Sequence, residues 1–171
     1  MLTGVDGTIE VFTFREGVLS GFGHDLSLRL ERFEITHTES TVEGRFWPES
    51  LVVQGAVEDR RLRPDALNPA QKAEILDNVR RRILHTDVHR EARLFARVSP
   101  LPDGHKLAGT FELLGSARPI ELMVHARDGR LVGDVELRPS DWGIKPYRAF
   151  LGAIRLADRV RVRFDLRDER S

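Results

Sequence analysis

The sequence predicts an all-β protein: an antiparallel barrel of about eight strands with one inserted amphipathic helix. Three observations predict it. Apolar and polar residues alternate with period two through most of the chain, and short turn signals separate the alternating runs. One segment alone, from Asn68 to about Leu84, switches to helical spacing. Many antiparallel strands joined by tight turns leave exposed edges unless they pack as two sheets or close on themselves, and closure removes the edges.

Taken in chain order, Leu26, Leu28 and Leu30 alternate with Ser27, Arg29 and Glu31, the pattern of a strand with one wet face. The segment "NPAQKAEILDNVRRRIL" then offers Asn68 as N-cap and Pro69 at the first helical position. Ala73, Leu76, Val79, Ile83 and Leu84 follow at roughly helical spacing. Alternation resumes with Leu107, Gly109, Phe111 and Leu113, and again with Ile120, Leu122, Val124 and Ala126. Leu131, Gly133, Val135 and Leu137 oppose Asp134, Glu136 and Arg138. Val160, Val162, Phe164 and Leu166 oppose Arg159, Arg161, Arg163 and Arg167. Turn signals fall between the runs at 102–104, 115–116, 128–129 and 139–141. Asp128-Gly129 predicts a type I′ hairpin, whose two central residues both need positive φ.

At 171 residues, with no linker, low-complexity tract or internal repeat, residues 1–171 form one domain. A chain of this size buries roughly 70% of its unfolded surface and needs neither disulfide nor metal to fold. It has no cysteine, which excludes disulfides, thiolate catalysis, iron–sulfur clusters and thiolate zinc sites. Lys+Arg and Asp+Glu are both 27, so nothing in the charge balance calls for nucleic acid. No apolar stretch approaches the ~20 residues of a membrane-spanning helix. The opening "MLTGVDGTIEVFTF" has neither the basic n-region nor the apolar h-region of a secretory signal, which predicts a cytoplasmic protein.

Five segments in order resemble one family, the YceI-like or polyisoprenoid-binding proteins. "GFGHDLSLRLERFE" (21–34) resembles its first hairpin arm, and "STVEGRFWPESLVV" (40–53) its following long strand. "AEILDNVRRRILHTDVHREARLFARV" (73–98) is similar to its helix, turn and next strand. "LAGTFELLGSARPIELMV" (107–124) resembles its most specific hairpin, and "SDWGIKPYRAFLGAIRLADRVRVRFDL" (140–166) its closing segment. The chain departs from the pattern where a Tyr-Pro is usual: it has His89-Arg90-Glu91-Ala92. The resemblance implies an extended, lipocalin-like antiparallel barrel whose apolar interior takes a polyisoprenoid or an isoprenoid quinone. It also implies a protein that is often exported and often a homodimer.

Candidate site residues follow from the apolar inventory. Phe12, Phe14, Phe22, Phe46, Phe111, Phe150 and Phe164, with Leu28, Leu122, Val135 and Trp142, are candidates to line a tube. Burying isoprene units there would contribute about 25 cal/mol per Å² of apolar area removed from water. The competing reading is a barrel filled by these same side chains and serving as a dimeric interaction module. His24, beside Asp25, is a candidate head-group contact at the mouth. The pair is not a catalytic dyad, because neighbours in a strand point to opposite faces. "DWGIKPYRAFLG" (141–152) is a candidate lid, with Trp142 and Tyr147 each presenting an apolar body and a polar tip, or else an irregular edge strand or bulge before the last strand.

Enzyme readings find few residues. There is no G-x-S-x-G elbow, P-loop or dinucleotide fingerprint, and no cofactor is expected. An enzyme using the cavity would depend on His24 or His89. His85 and His89 have i, i+4 spacing, but a zinc site needs a third ligand and an ordered helix, and four arginines lie nearby. A solvated helix end is expected there. The ladder Arg159, Arg161, Arg163 and Arg167 is expected on the wet face, balanced by Glu121, Asp134 and Glu136.

Overall fold

A computed structural model describes residues 1–16, 24–149 and 154–168. Among these residues thirteen strands belong to one antiparallel sheet. They are β1 (Leu2–Thr3), β2 (Gly7–Glu16), β3 (Asp25–Leu30), β4 (Phe33–His37), β5 (Thr41–Phe46), β6 (Leu51–Glu58) and β7 (Arg61–Arg63). After helix α1 (Pro69–Asp77) come β8 (Ala92–Leu101), β9 (Gly104–Leu113), β10 (Ser116–Arg127), β11 (Arg130–Leu137), β12 (Arg148–Ala149) and β13 (Ile154–Arg167). The strand order is β1-β4-β5-β8-β9-β10-β11-β13-β2-β3-β6-β7, with β12 on β13.

Thirteen segments reduce to an eight-membered ring because two strands are bent. β3 and β4 are separated by Glu31 and Arg32 alone, and β5 and β6 by a 3-10 turn at Pro48–Ser50. The two halves stay paired across the bend, where Glu31 N donates to Ser50 O (3.3 Å) and Trp47 N to Arg32 O (3.2 Å). The result is one long hairpin. Its inner half pairs β2 through β3, and its outer half pairs β8 through β5, so the pairing path returns on itself. Trp47 sits buried at the corner, with the guanidinium of Arg32 4.1 Å and that of Arg45 5.2 Å from its ring centroid.

Local chemistry accounts for the elements. Asp128 (φ 49°) and Gly129 (φ 71°) form the expected two-residue turn, closing the Arg127–Arg130 pair. Leu114 and Gly115 do the same between β9 and β10. Asp59 and Arg60 make a third such turn with no glycine, a turn that no local turn signal marks.

The helix begins as expected. Asn68 Oδ1 accepts from Gln71 N and Gln71 Oε1 accepts from Asn68 N, both at 2.9 Å, a reciprocal capping box. After Asp77 the helix widens to a π-helical turn over Asn78–Ile83. Lys72 Nζ donates to Gln54 O and Arg80 to Leu51 O, which fastens this segment to β6. Ile75, Leu76, Val79 and Leu84 pack on the main core, around Leu28, Phe33, Val53 and Ala56. No helix among the described residues is long and apolar enough to cross a membrane.

Candidate functional site

The inner faces of the ring enclose a cavity of about 670 Å³. Alternation decides what lines it: Ile9, Val11 and Thr13 from β2, Leu107, Phe111 and Leu113 from β9, and Ile120, Leu122 and Val124 from β10. β11 and β13 add Leu131, Val135, Val162 and Phe164. Nearly every strand contributes carbon to this surface.

Two glycines keep the interior open. Gly44 lies on the inner face between Val42 and Phe46, and a Cβ there would stand 2.6 Å from Phe46 Cζ. Gly133 is paired with Phe164, and its Cβ would stand 2.5 Å from that ring. Each aromatic ring therefore lies along the wall over a glycine, leaving the centre free of it. A large cavity persists among residues that could have filled it. The barrel is hollow.

Of the ten sequence-predicted site residues, His24, Leu28, Phe46, Phe111, Leu122, Val135, Trp142 and Phe164 line the cavity. Phe22 and Phe150 lie outside the described residues. Leu28 is 2% exposed and serves as core and wall at once. Phe12 and Phe14, also expected inside, are on the outer face: Arg163 lies 5.3 Å from the Phe12 centroid, and Arg159 4.4 Å from that of Phe14. The reason is parity, since Ile9, Val11 and Thr13 take the inward positions of β2.

The segment 139–147 lies across part of one end of the cavity. A 3-10 turn (Pro139–Trp142) ends at Gly143, whose φ of +80° is the left-handed conformation glycine adopts freely. Trp142 is 6% exposed; its Nε1 donates to Phe111 O at 3.1 Å and its ring meets that of Phe111 edge-on. Arg118 Nε donates to Asp141 O at 2.7 Å, and Ser140 N to Asp158 Oδ1 at 2.9 Å. Ile144, Lys145, Pro146 and Tyr147 continue over the cavity. Arg148 and Ala149 then form the short strand β12 on β13, so the segment combines a loop at the mouth with an edge strand.

His24 lies at this same end. Its Nδ1 is 3.7 Å from Glu58 Oε1, whereas Asp25 Oδ1 accepts from Arg15 N at 2.8 Å. The adjacent pair is divided between two partners. Sequence reasoning missed Thr13 and Asn78 on the wall, and His37 and His105 at the opposite end. Both histidines continue an inward alternation, His37 after Phe33 and Ile35, and His105 before Leu107, so the parity of those strands was the available signal.

The remaining candidates are surface features. His85 takes φ +44° and its carbonyl accepts from Val88 N and His89 N, so the segment is a turn beyond the helix and lacks the i, i+4 face. Arg159 reaches Glu136 (3.6 Å), and Arg163 stands opposite Asp134. Glu121 does not join that ladder, because Lys106 Nζ takes it at 2.9 Å. The unusual His89–Ala92 stretch has a local role. Glu91 accepts from Arg45 Nη2 at 2.9 Å and from Arg93, and these bonds, Arg93 first, hold its carboxyl below the usual carboxylate range.

The sequence profile of the YceI-like domain matches residues 10–167. The chain belongs to the YceI-like family. Its fold is similar to that of Burkholderia cenocepacia BcnA, at a TM-score of 0.68 and 11% identity over 97% of this chain and 98% of that one. The Campylobacter jejuni YceI protein aligns at a TM-score of 0.52 and 10% identity, over 81% of each chain. Identities this low carry the fold alone. No curated protein matches the sequence. For this YceI-like barrel, function therefore has to be argued from the cavity itself.

Proposed function

We propose that this YceI-like protein binds and carries, or sequesters, a long apolar ligand with a polar head, of the polyisoprenoid or isoprenoid-quinone class, without catalysing a reaction. The observation that carries this is the 670 Å³ cavity, walled by aliphatic and aromatic side chains from nearly every strand of the ring. Carbon predominates in its lining, and polar side chains stand at the lid end, which suits one tail and one head. A tube of this kind holds its ligand by area, so selectivity for the tail is modest. His24, Lys145 and Tyr147 at the lid end are the head-group contacts in this reading. The cavity supports this reading over a filled barrel.

The test is native mass spectrometry of the protein purified from its own host, followed by organic extraction and identification of what co-purifies. A stoichiometric isoprenoid or quinone is expected. A protein that emerges empty and takes up no quinone in a titration overturns the reading.

A further inference from the structure

The cavity touches solvent-exposed residues at both ends of the barrel. At the lid end these include Lys145 and Pro146. At the other end they are Thr38 and Glu39, at the tip of the β4–β5 hairpin, beside His37 and His105. Strand register sets the two groups apart. His37 pairs with Val42, Val42 with Ala96, and Leu101 with Gly104, which fixes the hairpin tip beside the β8–β9 turn. Trp142 binds Phe111, at the far end of β9. Elsewhere the wall is predominantly carbon, with Thr13 from β2 and Gln71, Glu74 and Asn78 from the helical segment as its polar members.

We propose that the tube is open at both ends, with a second portal framed by His37, Thr38, Glu39 and His105 through which the tail of a long ligand emerges. The inference rests on the carrier reading and adds a rule for chain length. A blind tube rejects any tail longer than itself, because the surplus has nowhere to go. In an open tube the surplus passes out into the solvent it occupied before binding, so it neither adds to nor subtracts from the burial term. Affinity then rises with tail length until the tube is full and stays level beyond it.

The experiment is a titration of the purified protein with farnesol, geranylgeraniol and solanesol, in order of tail length, repeated with two plugged variants. Val98→Trp places an indole on the inner face of β8 two residues from the Pro100–His105 pair, and His105→Trp does so at the portal itself. The wild type is expected to bind solanesol at least as tightly as geranylgeraniol. Each plugged variant is expected to keep farnesol within about threefold and to lose solanesol by about tenfold or more. The proposal is overturned if the wild type already rejects solanesol while binding farnesol, or if both plugged variants bind solanesol unchanged. If no prenol binds, the carrier reading has itself failed, and the proposal falls with it. Because retained farnesol binding reports a folded variant, and the wild-type series stands by itself, misfolding of either variant leaves the test intact.

Discussion

The indole of Trp142 meets the ring of Phe111 edge-on, 5.7 Å between centroids at 78°, while its Nε1 donates to the Phe111 carbonyl. One residue of the lid thus grips both the backbone and the side chain of one residue in the barrel wall. Phe111 in turn meets Phe46 edge-on at 6.2 Å, which links the lid to the bent hairpin across β8. Lid and cavity are one packed unit at this point.

Separating the two contacts gives the first prediction. Trp142→Phe keeps an aromatic ring and removes the donor, leaving the Phe111 carbonyl one partner short at a cost of about 1–2 kcal/mol. Trp142→Ala also empties the space, and about 3–5 kcal/mol is expected. Urea titrations of the three proteins measure both. Equal losses in the two variants would show that the hydrogen bond, and not the packing, fastens the lid.

A second prediction follows from Gly44. A methyl group at this position meets the far end of the Phe46 ring at 2.6 Å, and the next residue it approaches is Leu94, whose Cβ is at 3.4 Å. The ring can swing and the backbone need not move. Gly44→Ala is therefore expected to turn Phe46 into the lumen, lowering affinity for a long apolar ligand about tenfold and changing stability by less than about 1 kcal/mol. A crystal structure of the variant, with an isoprenoid quinone titration, checks both halves. Gly133→Ala contrasts with it: there the new Cβ stands 2.4 Å from the Met123 carbonyl oxygen, so the strands must shift and stability falls as well.

Much of this architecture is legible in the chain. Period-two runs place Leu28, Phe111, Leu122, Val135 and Phe164 on inner faces because burying one side of a strand fixes its parity. Asn68, Pro69 and Gln71 write the start of the helix in side chains that satisfy its first amides. β2 was misread at Phe12 and Phe14 because bulk suggests the interior, whereas flanking arginines make an aromatic ring stable outside through cation–π contact. The bend that turns two strands into four is set by tertiary pairing at Arg32, Trp47 and Ser50, and no local pattern announces it. Nor does alternation reveal a hollow interior: that depends on Phe46 and Phe164 lying over glycines on neighbouring positions.

Glu91 makes stability pH-dependent in a definite direction. Its bonds to Arg93 and Arg45 hold its carboxyl below the ordinary glutamate value of 4.5 in the folded protein. A group depressed by folding contributes stability that is complete above its unfolded value and is lost as pH falls through the folded one. Wild type is therefore expected to lose stability below about pH 4.5 more steeply than Glu91→Gln. Asp6, held low by its bonds to the Thr3 amide and hydroxyl and by Arg167, drifts in the same direction in both proteins and cancels from the difference. Thermal melts across that range measure it, and parallel curves would remove Glu91 from the account.

His24 supplies the last prediction, because it separates head recognition from tail burial. It lines the lid end of the cavity, about a third exposed, with its Nδ1 toward Glu58. At 3.7 Å the Glu58 carboxylate is beyond hydrogen-bond distance, and the Nε2–H tautomer of the ring can donate to a carbonyl or hydroxyl at the mouth. Removing the ring costs the fold little, since the pair it leaves is solvent-exposed and worth well under about 1 kcal/mol. His24→Ala is thus expected to weaken an isoprenoid quinone by about three- to tenfold and to leave a hydrocarbon of the same tail unchanged. If both ligands weaken alike, the residue is only part of the wall. If neither does, head recognition passes to Lys145 and Tyr147 on the lid, and the same pair of ligands applied to Lys145→Gln and Tyr147→Phe identifies which.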